Sequence, residues 1–209
     1  MASHTLYGSN VADATDANAC DFAVDTTGGT ETNTTSNFTA TGWIEIFSQG
    51  TSGNTSAGSQ PAPSGHGWEL RTTLNGQRLA ASSVTVKFNQ NVGTTSFGGT
   101  YHAGFYKKTG STYAQLGSDG TVTVSGQTST KTSVTTSTIS IPQTDFTSSD
   151  VLYLHLTCNI TAIVVADTIQ IYESTSASTG VAGDIEVDGL SWALTPRPQS
   201  DGYGGMFRS

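Results

Sequence analysis

The sequence predicts an all-β protein: an antiparallel β-sandwich, jelly-roll-like, with extended N- and C-terminal arms. The clearest sign is the segment 151–160, in which apolar residues occupy every second position. These residues are Leu152, Leu154, Leu156, Cys158 and Ile160. Because successive side chains leave a strand on opposite faces, one face of this segment is purely apolar and must be buried. We therefore expect it to be the central core strand.

Composition and turn signals predict the same fold class. The 209 residues are 34% hydrophobic and only 11% charged, with 24 glycines, which fits short strands joined by polar turns. Roughly nine to eleven short strands follow one another at fairly even spacing, and no helical period is sustained. A jelly roll is the first expectation, and an immunoglobulin-like sandwich is the alternative.

In chain order, an arm precedes one domain and a second arm follows it. Residues 1–18 are small and polar without a sustained period, so we expect an N-terminal arm. Residues 19–194 form the single sandwich domain. Within it, the Gly-, Ser- and Pro-rich segment 50–67 is expected to be a long loop, either mobile or fixed by a neighbouring subunit. Residues 195–209 are expected to be a C-terminal arm.

The strands of the domain are expected where apolar residues alternate. They lie near 19–24, 37–49, 68–74, 83–89, 101–106, 113–116, 122–124, 139–141, 151–160, 169–172 and 184–194. A tight turn is expected at Asn75-Gly76, because both residue types accept positive φ.

The last strand, 184–194, changes its pattern midway. Ile185 and Val187 have one parity, whereas Leu190 and Trp192 have the other. One extra residue at Gly189 would place both pairs on the same face, so we predict a β-bulge there.

Net charge limits the choice of partner. The chain carries −8 at pH 7, with only 8 Lys and Arg in total. Binding a polyanion takes many phosphate contacts, so we expect no direct binding to nucleic acid. The start has neither a basic nor an apolar region, and no stretch approaches the roughly 20 apolar residues of a membrane span. We therefore expect no secretory signal and no membrane partner.

Two features were considered for metal or redox chemistry. Cys20 and Cys158 both lie in alternating segments and are interpreted as small buried residues, with a disulfide left open. Asp184, Glu186 and Asp188 share parity and could be calcium ligands or an acid/base pair; the competing interpretation is the solvent face of a strand. We expect no cofactor.

Aromatic residues outside the expected core are the main candidates for a binding site. Trp43, Tyr101, Tyr106 and Tyr113, together with His102 and Tyr153, could form a stacking platform for sugar rings. The competing interpretations are a second core layer or a contact with another subunit, where Tyr and Trp are enriched.

No pattern in the sequence predicts catalysis. The four histidines, His4, His66, His102 and His155, are scattered, and no Gly-x-Ser-x-Gly elbow is present. We expect no enzyme.

Two stretches carry a resemblance to a known type of protein. The hairpin segment 103–117, AGFYKKTGSTYAQLG, is similar to hairpins of phage jelly rolls. The ending 184–194, DIEVDGLSWAL, also looks like the closing strand of carbohydrate-binding modules. With its acidic, Thr- and Ser-rich composition and its two arms, the chain resembles structural proteins of tailed-bacteriophage virions: capsid decoration (cement) proteins and jelly-roll modules of tails.

The resemblance implies a non-enzymatic capsid decoration protein that stabilises the phage head through oligomeric contacts. The implied partners are the major capsid protein or other virion proteins and further copies of the chain, with a trimer favoured. The implied location is the virion, assembled in the host cytoplasm. The C-terminal arm would lie on a neighbour through anchoring side chains: Pro196, Pro198, Tyr203, Met206 and Phe207. The alternative is a carbohydrate-binding or host-attachment module of a phage tail or fibre.

Overall fold

The fold is all-β and sandwich-like, as the alternating sequence predicts. The computed structural model describes residues 2–13, 18–48, 51–53, 57–70, 74, 76–93, 96–127 and 130–192. No helix occurs in these ranges, and so none there has the length and apolar character needed to cross a bilayer.

Seventeen strands occur in the described ranges. Their bounds are β1 (Ala2–Ala12), β2 (Cys20–Val24), β3 (Glu31–Phe38), β4 (Gly42–Glu45), β5 (Thr51–Gly53), β6 (Trp68–Leu70), β7 (Arg78–Leu79), β8 (Ser82–Val92), β9 (Phe97–Thr109), β10 (Thr112–Gln115), β11 (Gly120–Gln127), β12 (Thr132–Thr135), β13 (Ile139–Ile141), β14 (Thr144–Asp145), β15 (Asp150–Ala162), β16 (Asp167–Ser174) and β17 (Glu186–Trp192). Most pairings are antiparallel, as expected. Short parallel contacts join β1 to β16, β2 to β6 and β3 to β5.

Two layers of strands face each other across an apolar core. In the front layer, β9 and β15 pair along their lengths, with β10 and β11 on one side and β4 and β6 on the other. In the back layer, β8 lies between β12 and β13 on one side and β16 and β17 on the other, with β3 beyond β16. Aromatic rings meet between the layers: Phe88 packs on Tyr101 at 5.1 Å, and Phe38 on Phe97 at 5.8 Å.

Strand β15 is the core strand that its alternation predicts. Each of its five alternating apolar side chains is at most 1% exposed. They face the apolar residues of β9 in register, with Leu154 opposite Phe105 and Cys158 opposite Tyr101. Burying a large apolar side chain contributes about 1.5–3 kcal/mol, so this face alone is a major part of the core's stability.

The prediction of an N-terminal arm over 1–18 is wrong for residues 2–12. These residues form β1, which pairs with β17 on one side and β2 on the other. Leu6 is fully buried and lies opposite both Val187 and Val24. The segment is therefore an integral strand that connects the two layers.

Much of the segment 50–67 is held by contacts within its own domain. Residues Thr51–Gly53 form β5 on β3, and Ala57 pairs with Trp43. Further on, Gln60 and Ser64 donate hydrogen bonds to side chains of the front layer.

The predicted β-bulge at Gly189 is confirmed. Val187 lies opposite Leu6 and Leu190 opposite His4, so Asp188 and Gly189 together face a single residue of β1. The φ of Gly189 is +94°, a left-handed conformation that glycine adopts without strain. As a result, the apolar residues before and after the bulge both point into the core.

The C-terminal arm predicted over 195–209 lies outside the described residues. This includes its anchor residues Pro196, Pro198, Tyr203, Met206 and Phe207.

Candidate functional site

The front layer has a second face, turned away from the core, which we call the outer face. It is formed by β4, β9, β10 and β15 and carries aromatic, charged and amide side chains instead of aliphatic ones. Paired positions across these strands are Trp43 with Asn159, His102 with Thr157, Tyr106 with Tyr153, and Tyr113 with Lys108.

The centre of the outer face is a second buried layer. Tyr153 is fully buried and His155 only 1% exposed, and Tyr106 packs edge-on to both rings. Residues 57–67 cover this area, with Gly67 packed against the Tyr153 ring. Of the interpretations offered for these aromatic residues, a second layer is therefore the one that Tyr153 fits.

A carboxylate beneath the covering segment joins it to the sheet. Glu45 Oε1 lies 2.8 Å from His155 Nε2, and the Ser64 hydroxyl donates to Glu45 Oε2 at 2.5 Å. Burial raises the pKa of Glu45, but the hydrogen bonds from His155 and Ser64 outweigh it and leave the pKa below its ordinary value. The serine donates to the carboxylate and not to the histidine, so the group is not arranged as a nucleophile with its base. Its role is to fix the covering segment.

A buried ion pair lies further along the outer face. Lys108 Nζ donates to Glu69 Oε1, and the two residues are 6% and 1% exposed. The same ammonium lies 5.6 Å from the centre of the Tyr113 ring and 5.7 Å from that of Tyr153. The Glu69 carboxylate and two aromatic rings thus lie around the charge of Lys108.

At the more open side of the outer face, five residues form what we call the Trp43 cluster: Trp43, Gln60, His102, Gln115 and Asp119. The half-buried Trp43 ring packs on His102 with centroids 4.7 Å apart. The Asp119 carboxylate accepts from Gln60 at 2.7 Å and from Gln115 at 2.8 Å, and lies 3.6 Å from His102 Nδ1. An aromatic ring and its packed histidine therefore adjoin a carboxylate that is held in place by donors from two separate segments.

Of the four aromatic residues predicted to bind sugar, Tyr101 is wrongly placed. Its side chain is fully buried between the layers, where its hydroxyl donates to Gln90 at 3.2 Å. Burial raises the pKa of Tyr101 well above its ordinary value. The other three, Trp43, Tyr106 and Tyr113, are half-buried on the outer face.

The acidic residues proposed as metal ligands do not converge. Asp184 is buried and accepts from Asn89 at 2.9 Å, whereas Glu186 accepts from the Gly183 amide and Asp188 from the Thr5 hydroxyl. No group of three or more potential metal ligands is found in the described part of the chain.

The histidines pack on aromatic rings, and the two cysteines are buried in the core. Each histidine packs on an aromatic ring: His4 on Trp192, His66 on Phe47, His102 on Trp43, and His155 on Tyr153. Cys20 and Cys158 are both free and buried, and burial raises the pKa of each thiol. Their interpretation as packed small residues is confirmed.

One end of the sandwich carries an apolar groove. A cavity of about 270 Å³ lies between the ends of β9, β11 and β15 and is lined mainly by apolar atoms. Phe97, Val124 and Ile163 contribute to its wall. Val164 and Val165 beside it are 73% and 57% exposed, which is unusual for valine.

Sequence reasoning singled out His102 but missed the carboxylates and amides of these sites, which are Glu45, Gln60, Glu69, Gln115 and Asp119. Gln60 and Asp119 are 59 positions apart, and Glu45 and His155 are 110 apart, so no local spacing joins them. One signal was present: Glu45 and Glu69 are charged residues within otherwise apolar strand segments, and a buried charge requires a partner.

No protein-family model matches the chain, and no curated protein is significantly similar to it.

Proposed function

We propose that this protein is a non-enzymatic structural protein of a phage virion, a capsid decoration protein that stabilises the head. Its partner is the major capsid protein, and it acts as a homo-oligomer, with a trimer favoured. The observation that supports this proposal is the apolar groove with its two exposed valines.

The apolar, uncharged lining of the groove favours a protein partner over a polyanion or exposure to solvent. None of its described lining residues is charged, although the chain as a whole carries −8. Val164 lines the groove, and Val165, the next residue in the chain, is also exposed, so apolar surface is open to solvent at the rim of the groove. Such surfaces are typical of protein interaction sites, because covering them removes apolar area from water. The occupant that fits is an uncharged, apolar segment of the shell protein.

Stabilisation then follows from mass action. A protein that binds the assembled shell but not its dissociated subunits lowers the free energy of the shell by RT ln(1 + [L]/Kd), about 2.7 kcal/mol at a hundredfold excess over Kd. No conformational change or chemical step is needed.

The test is binding to undecorated heads of the phage that encodes the protein. The Val164→Asp/Val165→Asp variant places two charges beside the groove and is expected to lose most co-sedimentation with heads, and with it the gain in their thermal resistance. Val11→Asp is the matched control, because Val11 is an exposed valine on β1, away from the groove. Equal binding by wild type and the groove variant would refute the groove as the docking surface. Light scattering coupled to size exclusion measures the oligomeric state, and a strictly monomeric protein would contradict the trimer.

A further inference from the structure

The Trp43 cluster has the chemistry of a ligand site rather than of a core. Trp68 and Trp192 are fully buried, whereas Trp43 is half-buried on the outer face. Beside it, Gln60 and Gln115 are exposed, and the side chain of Asp119 is 13% exposed. A half-buried aromatic residue and several hydrogen-bonding groups thus converge on one patch.

The sheet is built to seat the carboxylate of this patch. Gly104 of β9 lies beneath Asp119, and a Cβ atom at Gly104 would come within 2.6 Å of Asp119 Oδ1. The strand therefore lacks a side chain where the carboxylate sits. Together with the hydrogen bonds from Gln60 and Gln115, this holds Asp119 in position before any ligand arrives, which lowers the entropic cost of binding.

We infer that the Trp43 cluster binds a neutral pyranose saccharide. One face of such a sugar presents C–H groups that pack on an indole ring, and its rim presents hydroxyls that each donate and accept. Asp119 accepts hydrogen bonds. The two N–H groups of Gln60 are used on Asp119 and Thr157, so its amide offers a ligand the carbonyl oxygen as an acceptor, whereas Gln115 can offer both an acceptor and its second N–H. The five residues of the cluster therefore match the two kinds of surface that a sugar ring has.

The charge of the patch selects against anionic ligands. The cluster contains a carboxylate and no Lys or Arg, and the chain carries −8 overall. A sialic acid, a uronic acid or a nucleic acid would bring like charge to Asp119. A neutral hexose or N-acetylhexosamine carries no such penalty.

This inference is independent of docking to a capsid. His102 of the cluster and Gly98 of the groove are four residues apart on β9, about 13 Å at the rise of a strand. A saccharide site could thus remain accessible while the end of the sandwich is occupied. Loss of one function would not remove the other.

The experiment uses the full chain and a panel of neutral saccharides: glucosides, galactosides, mannosides and N-acetylglucosaminides, as monomers and disaccharides. Sialyllactose and glucuronic acid serve as anionic probes. Affinity is measured by calorimetry. Tryptophan emission gives the location of binding, because Trp43 is half-buried whereas Trp68 and Trp192 are fully buried. We expect at least one neutral probe to bind and to change the emission, and the anionic probes to bind at least about tenfold more weakly, a difference of about 1.4 kcal/mol.

Two variants test the residues. Asp119→Asn keeps the size of the side chain but replaces an acceptor by a donor, and Trp43→Ala removes the stacking surface; each is expected to weaken binding by about tenfold or more. Tyr172→Ala is the control, because Tyr172 is a half-buried aromatic residue on β16 in the back layer. Unfolding midpoints establish that each variant is folded. If Trp43→Ala does not fold, the affinity of Asp119→Asn alone decides whether the cluster binds the saccharide. Absence of binding by every neutral probe, or unchanged affinity in Asp119→Asn, would overturn the inference.

Discussion

Removing one partner of the buried pair Glu69–Lys108 should destabilise the fold severely. In Glu69→Gln the Lys108 ammonium, 6% exposed, loses its carboxylate and cannot regain water. Breaking such a pair costs about 3–5 kcal/mol. The Tyr113 and Tyr153 rings near the ammonium offset part of this, so we expect the lower end, about 3 kcal/mol. At about 2–4 °C per kcal/mol for a chain of this size, the melting temperature should fall by roughly 6–12 °C.

The assay is urea unfolding followed by tryptophan emission, with thermal melts alongside. Asp145→Asn is the matched control, because it breaks the exposed Arg78–Asp145 pair, whose side chains are 54% and 65% exposed. Solvent screens that pair, so its midpoint should hardly change. The double variant Glu69→Leu/Lys108→Met should recover most of the loss, since it removes both charges of the pair together. If Glu69→Gln lowered the urea midpoint as little as Asp145→Asn, the claim that Lys108 is desolvated would be wrong.

Three further predictions concern pH and backbone conformation. Burial raises the pKa of Asp150, but hydrogen bonds from Thr109, Thr147 and Lys107 outweigh it and leave the pKa well below its ordinary value. The stability that Asp150 contributes is therefore present above about pH 4 and lost as the pH falls, and urea midpoints of wild type and Asp150→Asn should converge towards pH 2. Burial raises the pKa of Glu173 well above its ordinary value, so the folded state keeps a proton that the unfolded chain releases above about pH 4.3. Wild-type stability should fall with rising pH relative to Glu173→Gln, and parallel pH profiles would contradict the buried neutral carboxyl. Gly189→Ala should lower the free energy of urea unfolding by roughly 1–3 kcal/mol, because the φ of Gly189 is +94° and the new Cβ would lie 2.6 Å from the Ser83 carbonyl oxygen. Gly58→Ala is the control, because its new Cβ would meet nothing within 4 Å.

The buried faces of the strands could be predicted, because a strand with one buried face carries apolar residues at every second position of its sequence. The core face of β15 and the bulge at Gly189 both follow from the parity of aliphatic residues. Tyr101 could have been placed by the same rule, since it shares the parity of Ala103 and Phe105, both fully buried. It was misplaced because its residue type was weighed above its position.

Strand β1 shows what periodicity cannot detect. Gly8 and Ser9 are buried because the strand passes very close to its neighbours: a Cβ atom at Gly8 would lie 2.8 Å from the Cβ of Ile185. Close packing there requires small residues, and small residues carry no hydrophobic signal. In the Trp43 cluster, Trp43 and His102 were candidates from the sequence. Gln60, Gln115 and Asp119 were not, since they come from separate segments that only the tertiary fold brings together with Trp43.

The two unlike faces of β15 have a consequence for folding. A shift of β15 by one residue would turn His155 and Thr157 towards Phe105 and the other apolar rings, and would turn Leu154 and Leu156 towards Glu45 and Lys108. The first change buries polar groups without partners, and the second leaves charged groups against aliphatic side chains. In a strand whose second face is exposed to solvent, a wrong register costs free energy only through the polar side chains that it buries. In β15 a wrong register also places aliphatic side chains against charged groups, so both faces oppose it. Misaligned pairings of β9 and β15 should therefore be short-lived during folding. Within the described part of the chain, this longest strand pair can align correctly although no tight turn connects its two strands.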